Sequence, residues 1–517
     1  MRSITHLAFA AAAAATVTLS SQGAIPAHSD DRTILHVLNR TGFGARPGDV
    51  ERVRQQGLAA YIDRQLRPEA IPDSDMDRRL APLEALRKST RELAAEYFEP
   101  AAEARRRAAA AGGASETMME GQRPARTPEE IQAARKARDV IVQLSEQKVL
   151  RAAFSERQLE EVMTDFWFNH FNVFAGKGAT GLHLVAYERD AIRPHVLGKF
   201  RDLLGATAKS PAMLFYLDNW QSADPDAAPQ RGRGRGRPWM TEAAPRRQPR
   251  GLNENYGREL MELHTLGVDA GYTQQDVVNV ARAFTGWTID RPRQGGGFRF
   301  DPRVHDGGEK VVLGHRIKAG GGQSDGERVL DLLAVHPATA TFIATKLSRR
   351  FVADNPPAAL VARAAARFRA TGGDIREVVR VILTSPEFYA PDAYRAKVKT
   401  PFEFVVSSVR ATGTDVFEAA ALVQAIRQLG MPLYLCQPPT GYADRADAWV
   451  NTGALLNRMN FGVQLVGGMR GIRPGNGPVM AALGGDLSAA TAATIGKAAD
   501  PKQMAALTLG SPEFQRR

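Results

Sequence analysis

A mainly α fold, built as one large multi-helix domain with at most a small β-hairpin near residues 298–314, is what the sequence predicts. Three observations carry that prediction. Apolar residues recur at three- and four-residue intervals along most of the chain, the period of a helix with one buried face. Helix signals accompany them, with Ser, Thr, Asp or Asn before the apolar runs and Gly or Pro after them. Sustained alternation of the strand type is rare. With 517 residues, 44% apolar and 24% charged, the chain builds a sizeable core without metal or disulfide staples. Its single cysteine, Cys436, excludes an intramolecular disulfide and any zinc site that needs two thiolates.

Taken in order, the chain begins with Arg2, an alanine-rich apolar run over 7–19, and small residues up to Ala27. That pattern predicts a secretory signal peptide over 1–27, cut after Gly23 or Ala27, and a mature chain that is exported to the periplasm or beyond. No later apolar stretch is long enough to span a bilayer. Residues 28–517 are expected to form the single helical domain, with a subdivision allowed near residue 320. Helices are expected over 31–39, after Pro47-Gly48, and over 58–62. The charged, alanine-rich segment 90–138 reads as a helix pair around a flexible turn at Gly112-Gly113, with an insertion at about 100–135. One long helix is expected over 140–174 and another over 187–204. After a second flexible insertion at 221–251, helices resume over 254–266 and 274–284. A hairpin is expected to join Phe298-Arg299-Phe300 to Lys310-Val311-Val312-Leu313 through Gly307-Gly308. Beyond Asp325 amphipathic helices return. Ser385-Pro386-Glu387 and Ser511-Pro512-Glu513 read as helix starts, and Ser210-Pro211 as a weaker version of the same signal.

The net charge of +12 is partly local. Between Gln221 and Gly251 seven arginines face only Asp224, Asp226 and Glu242. The Arg-Gly repeat Arg231–Arg237 within this loop is expected to attract an anionic polymer. Phosphate-loop spacing is absent, as are Gly-x-Ser-x-Gly and His-Glu-x-x-His, so three common catalytic frameworks drop out.

Three constellations remain. Five of the ten residues from Asp165 to Phe174 are aromatic, in a chain that is only 7% aromatic. On a helix, Gln158, Glu161, Asp165, Asn169 and Asn172 share one narrow stripe, with Trp167, Phe171 and Phe174 opposite and His170 beside them. The stripe either lines a site or faces water. Asp165 and His170 are candidate acid–base residues and Asn169 a candidate substrate contact, although a lone histidine among aromatics is commonly a core residue. In the second, Glu254, Arg258 and Glu262 stand four apart, which predicts an ion-pair ladder. A carboxylate cluster for proton transfer or metal binding is the sharper alternative, with Glu254 and Glu262 as candidate catalytic groups and Arg258 as a substrate contact. His264 lies two residues from Glu262 and five from Glu259, which is not the Glu-x-x-His spacing of metal-binding bundles. The third constellation follows Trp287 and contains Asp301, His305, Asp306 and Lys310 in a Gly/Pro loop. Here His305 is a candidate catalytic residue, with Trp287 and Lys310 as substrate contacts. These patterns leave cofactor and metal undefined.

Ordered blocks along the chain resemble a bacterial family, domain of unknown function 1800. They start at Leu35-His36-Val37-Leu38-Asn39-Arg40-Thr41-Gly42-Phe43-Gly44 and continue through Phe166-Trp167-Phe168-Asn169-His170-Phe171 and Tyr187-Glu188-Arg189-Asp190. Asn253-Glu254-Asn255-Tyr256-Gly257-Arg258, Ala283-Phe284-Thr285-Gly286-Trp287, His305-Asp306 and Ala448-Trp449-Val450-Asn451 follow. The resemblance implies an exported, largely helical protein, often encoded beside an exported family similar to sulfatases. It carries no catalytic residues across. The expectation for function is a hydrolase or lyase acting on an extracellular or envelope polymer. The alternative is a non-catalytic exported scaffold or binding partner of a sulfatase-like protein.

Overall fold

Helices dominate the computed structural model, which describes residues 25–26, 29–112, 127–227, 251–475 and 477–517. The signal-peptide expectation covers residues 1–27, of which only 25–26 are described, and the Arg231–Arg237 repeat lies outside the described residues, as does the turn after Gly112. Among the described residues, no helix is long and apolar enough to cross a membrane.

The Asp31–Thr41 helix shows how the core is assembled. Asp30 caps it by accepting the amide of Thr33, and Ile34, Leu35, Val37 and Leu38 are buried. Its polar side chains reach far along the chain: His36 bonds the carbonyl of Phe388 at 2.8 Å, and Arg40 donates to that of Ala393 at 2.6 Å. The same apolar core runs from Ile34 to Phe514.

Where one helix was expected over 140–174 there are two, Pro128–Phe154 and Gln158–His170. The break is held by side chains that replace the lost helical bonds. Asp73 accepts from the Ser155 hydroxyl and the Glu156 amide, while Gln65 donates to the Glu156 carbonyl and accepts from the Leu159 amide. The second helix stops at His170, so Phe171 and Asn172 leave it. The 187–204 expectation resolves into a wide turn over Tyr187–Ile192 and a separate helix, Phe200–Lys209.

The strands also pair differently. Phe298–Phe300 pairs with Trp287–Ile289, and Lys310–Val312 with His315–Ile317, both antiparallel. The second hairpin turns through Leu313 and Gly314, both with positive φ (50° and 78°), which suits a two-residue turn and removes the need for a distant partner. A third short pair joins Asp415–Val416 to Ile472–Arg473. The two Ser-Pro-Glu-Phe copies start no helix; each serine hydroxyl caps a single turn, accepting from Phe388 or Phe514. Ser210 does cap a helix, Pro211–Tyr216.

Glu403 is the anionic centre of the interior. At the start of the Pro401–Thr412 helix it forms a capping box with Thr400, and its other oxygen meets Arg350 at 2.6 Å and Arg517 at 3.1 Å. Burial pushes its pKa up, but Arg350 and then Arg517 outweigh that and bring it from 4.5 down to about 2. A carboxylate depressed in the folded state adds stability above its unfolded value, and that increment disappears as pH falls from 4.5 toward 2. The increment is about 3 kcal/mol. Urea unfolding from neutral to acid pH is expected to show it. Glu403→Gln should cost about 3 kcal/mol at neutral pH, because it strands two buried guanidinium groups, and should flatten this part of the pH dependence.

Candidate functional site

The polar stripe of the aromatic helix points neither to water nor entirely to a site. Gln158 and Glu161 are buried in structural bonds: Gln158 accepts from the Phe43 amide, and Glu161 holds Arg193 through two contacts at 2.7 and 3.0 Å. Farther along, Asn169 pairs with the backbone of Tyr442 in both directions, donating to its carbonyl at 2.8 Å and accepting from its amide at 2.7 Å. Asn172 donates to the carbonyls of Cys436 and Pro438. Both asparagines therefore clasp the 431–445 loop. Gly441 takes φ +73°, and a Cβ there would stand 2.3 Å from the Asn169 carbonyl oxygen, so the clasp demands glycine. Tyr442 bonds the Pro432 carbonyl through its hydroxyl and closes the loop on itself.

Between this loop, the end of the Gln158–His170 helix and the Pro337–Phe351 helix lies a cleft of about 220 Å³. Asp165, Asn169 and His170 line it, joined by Lys346, Arg349 and Arg445. His170 is buried. Its Nε2 faces the carbonyl of His264 at 3.1 Å, so that nitrogen carries the proton and donates. Its Nδ1 is then the acceptor, and Lys346 Nζ donates to it at 2.8 Å. Burial, and next the charge of Lys346, hold the His170 imidazole neutral, well below its usual pKa. Burial, then Arg349, bring Lys346 from 10.5 down to about 8.

The charges divide unequally. Asp165 is bound by Lys148 at 2.8 Å, with Arg350 at 3.9 Å. Asp444 meets Lys397 at 2.9 Å, and Lys397 also holds Asp354 at 2.5 Å. Arg350 belongs to Glu403. Among the described residues, no carboxylate lies within salt-bridge distance of Lys346, Arg349 or Arg445. Arg349 donates only to the Asp354 carbonyl, and Arg445 to the Asn355 side chain at 3.3 Å. The acids of the cleft are thus neutralised and three of its cations are not.

The other sequence candidates lie apart from this cleft. Glu254 and Arg258 are exposed and make no ion pair with each other or with Glu262. Gln274 of the next helix bridges them, donating to Glu254 and accepting from Arg258, both at 2.7 Å. That neutral bridge replaces the expected ladder, because one amide satisfies both charges at fixed spacing. Glu262 accepts weakly from Tyr272 at 3.4 Å. From this constellation only His264 touches the cleft wall, through its carbonyl. His305 sits between the Thr285 carbonyl at 2.8 Å and Asp325 at 3.2 Å. Asp325 also pairs with Lys310 at 2.9 Å, with both side chains fully buried. Trp287 is fully buried against Phe284 and Phe298. His305, Lys310 and Trp287 therefore build the interior around the two hairpins. Among the described residues, no three His, Cys, Asp or Glu side chains are grouped so as to hold a metal ion.

Sequence reading missed Lys346, Arg349, Tyr442 and Arg445. A faint signal exists in the spacing Lys346, Arg349, Arg350, which shares one face of a helix. On a sequence it is indistinguishable from a solvated basic face.

A family model described as "Protein of unknown function (DUF1800)" matches residues 36–516, so the chain belongs to that family. No curated protein and no solved structure matches it.

The clasp itself is testable. Asn169→Ala removes both bonds to Tyr442 and is expected to lower stability by about 2 kcal/mol. Hydrogen exchange should accelerate in the 431–445 loop more than in the Asp31–Thr41 helix.

Proposed function

We propose that this protein is an exported lyase that cleaves an anionic envelope polymer by β-elimination next to a carboxylate, with Lys346 as the base. The observation that carries this reading is the unpaired cation trio of the cleft, one member of which has a pKa suited to proton transfer. Export rests on the signal-like pattern of residues 1–27.

The chemistry asks for two things. A proton on the carbon beside a carboxylate is only weakly acidic, so positive charge must stabilise the enediolate that forms as it leaves. Arg349 and Arg445 supply that charge from the lining of the cleft. A base must also be partly free near neutral pH. With a pKa of about 8, roughly a tenth of Lys346 is the free amine at pH 7. The neutral His170 imidazole accepts one N–H and so fixes the direction of the Lys346 side chain. In the step, Lys346 Nζ takes the proton, and the C–H electrons form a carbon–carbon double bond. The C–O bond at the β-carbon breaks, and its oxygen leaves with a proton from water. The lysine then releases its proton to solvent.

Glycoside hydrolysis suits the site less. It uses two carboxyl groups, one of them protonated. Asp165 and Asp444, the two carboxyl groups lining the cleft, are each engaged in an ion pair with a lysine, at 2.8 and 2.9 Å.

The test is a panel of uronate-containing polysaccharides, read by the ultraviolet absorbance of the unsaturated product. The rate is expected to rise as pH increases through about 8, since the free amine is the active form. Lys346→Met should lower it by about 10²–10⁴-fold. Arg445→Gln should chiefly raise KM. New reducing ends without unsaturation would replace elimination by hydrolysis, and no turnover on any polymer would sink the enzyme reading.

A further inference from the structure

The Thr452–Gly467 helix has the composition of a buried element but a surface position. It packs against the Pro501–Gly510 helix and buries Arg458, Phe461, Gly462 and Leu465. On the other side Leu455, Leu456, Met459 and Val463 stand exposed, from 42% to 59%, and Val450 just before the cap is exposed as well. The spacing of the four helical residues Leu455, Leu456, Met459 and Val463 puts them on one continuous stripe. The other exposed large apolar side chains among the described residues are mostly scattered, whereas these five fall within fourteen positions. Scattered apolar groups need no explanation; a stripe does.

The stripe is free of charge. Arg458 is the only charged residue of the helix, and it turns inward to donate to Gln515 and to the Lys399 carbonyl. The polar groups beside the stripe are amides, Asn457, Asn460 and Gln464, which line a groove of about 270 Å³ with Gln428 and Leu429.

We infer that two copies of this chain associate through this face, with their Thr452–Gly467 helices packed about a two-fold axis. The charge pattern selects this occupant. In a chain of net charge +12, two copies repel over most of their surfaces, and a neutral face is where they can meet. A two-fold contact sets the same patch against itself, so any charge in it would meet its own like. Amides carry both donor and acceptor and so pair with themselves. A helix made for a lipid surface carries Lys or Arg along its polar edges, and this helix presents neither outward.

Sedimentation velocity on the mature full chain at micromolar concentrations tests this. A dimer is expected, and Met459→Glu combined with Val463→Glu should convert it to a monomer. Both side chains are exposed, so the thermal melt of the variant is expected to match that of the parent at concentrations where the parent is dissociated. Met459→Cys is a second probe: mild oxidation should give a disulfide-linked dimer. A monomeric parent chain overturns the proposal, as does a dimer unchanged by the double substitution. Flotation with phosphatidylglycerol vesicles that the double substitution abolishes would assign the face to lipid instead.

Discussion

The paired hydrogen bonds between the Asn169 side chain and the backbone of Tyr442 are the contact on which the cleft depends. A side-chain amide has the same donor and acceptor as a peptide unit, so here it stands in for a strand partner. The 431–445 loop has no regular structure of its own and would otherwise leave these groups unpaired. Asn172 repeats the device at Cys436 and Pro438. Two short side chains, fixed by the aromatic packing of Trp167 and Phe171 behind them, thereby place a whole wall of the cleft. Arg445 and Asp444 owe their positions to it.

A division of labour among the charges follows. Every acid near the cleft is engaged by a lysine or arginine from the interior, and Glu403 gathers two arginines at once. Burying an ion costs free energy that only a close partner offsets. Those pairs are therefore structural, and in the proposed function chemistry falls to the charges left over. The leftover charges are positive. The proposed reading differs here from the sequence expectation, in which carboxylates and histidines were the candidate reactive groups and arginine positioned substrate.

How far the sequence could be read is clear from particular residues. The helical period was legible because it is local, and Ser210 caps a helix as its residue type suggests, whereas the same signal at Ser385 and Ser511 caps only single turns. Breaks were less legible. The interruption at Ser155–Arg157 depends on Asp73 and Gln65, whose bonds span 82 and 94 residues, and nothing near Ser155 announces them. The Leu313-Gly314 turn was readable in principle, yet a leucine at positive φ is an uncommon choice. The family was legible throughout, since ordered motifs extend along the chain, and the match to residues 36–516 agrees. The cleft was half legible. Asp165, Asn169 and His170 were singled out because polar groups among aromatics are conspicuous. Lys346 was not, since its meaning lies in having no acid beside it, and an absence of partners has no sequence signature.

The proposed interface and the proposed site are connected by a short run of buried contacts. Arg458 of the outer helix donates to the Lys399 carbonyl at 2.8 Å. Lys399 adjoins Thr400, which caps the helix carrying Glu403, and Glu403 holds Arg350 on the helix that also bears Lys346. The links are buried hydrogen bonds, one peptide bond and one ion pair, which together form a strut between the two regions. Dimerisation through the outer helix would then fix how two clefts face a shared polymer without altering either one. For a long anionic chain that is sufficient: once one cleft has engaged, the second meets the same chain at a raised effective concentration. The gain comes from geometry alone, and it requires that the strut stay rigid.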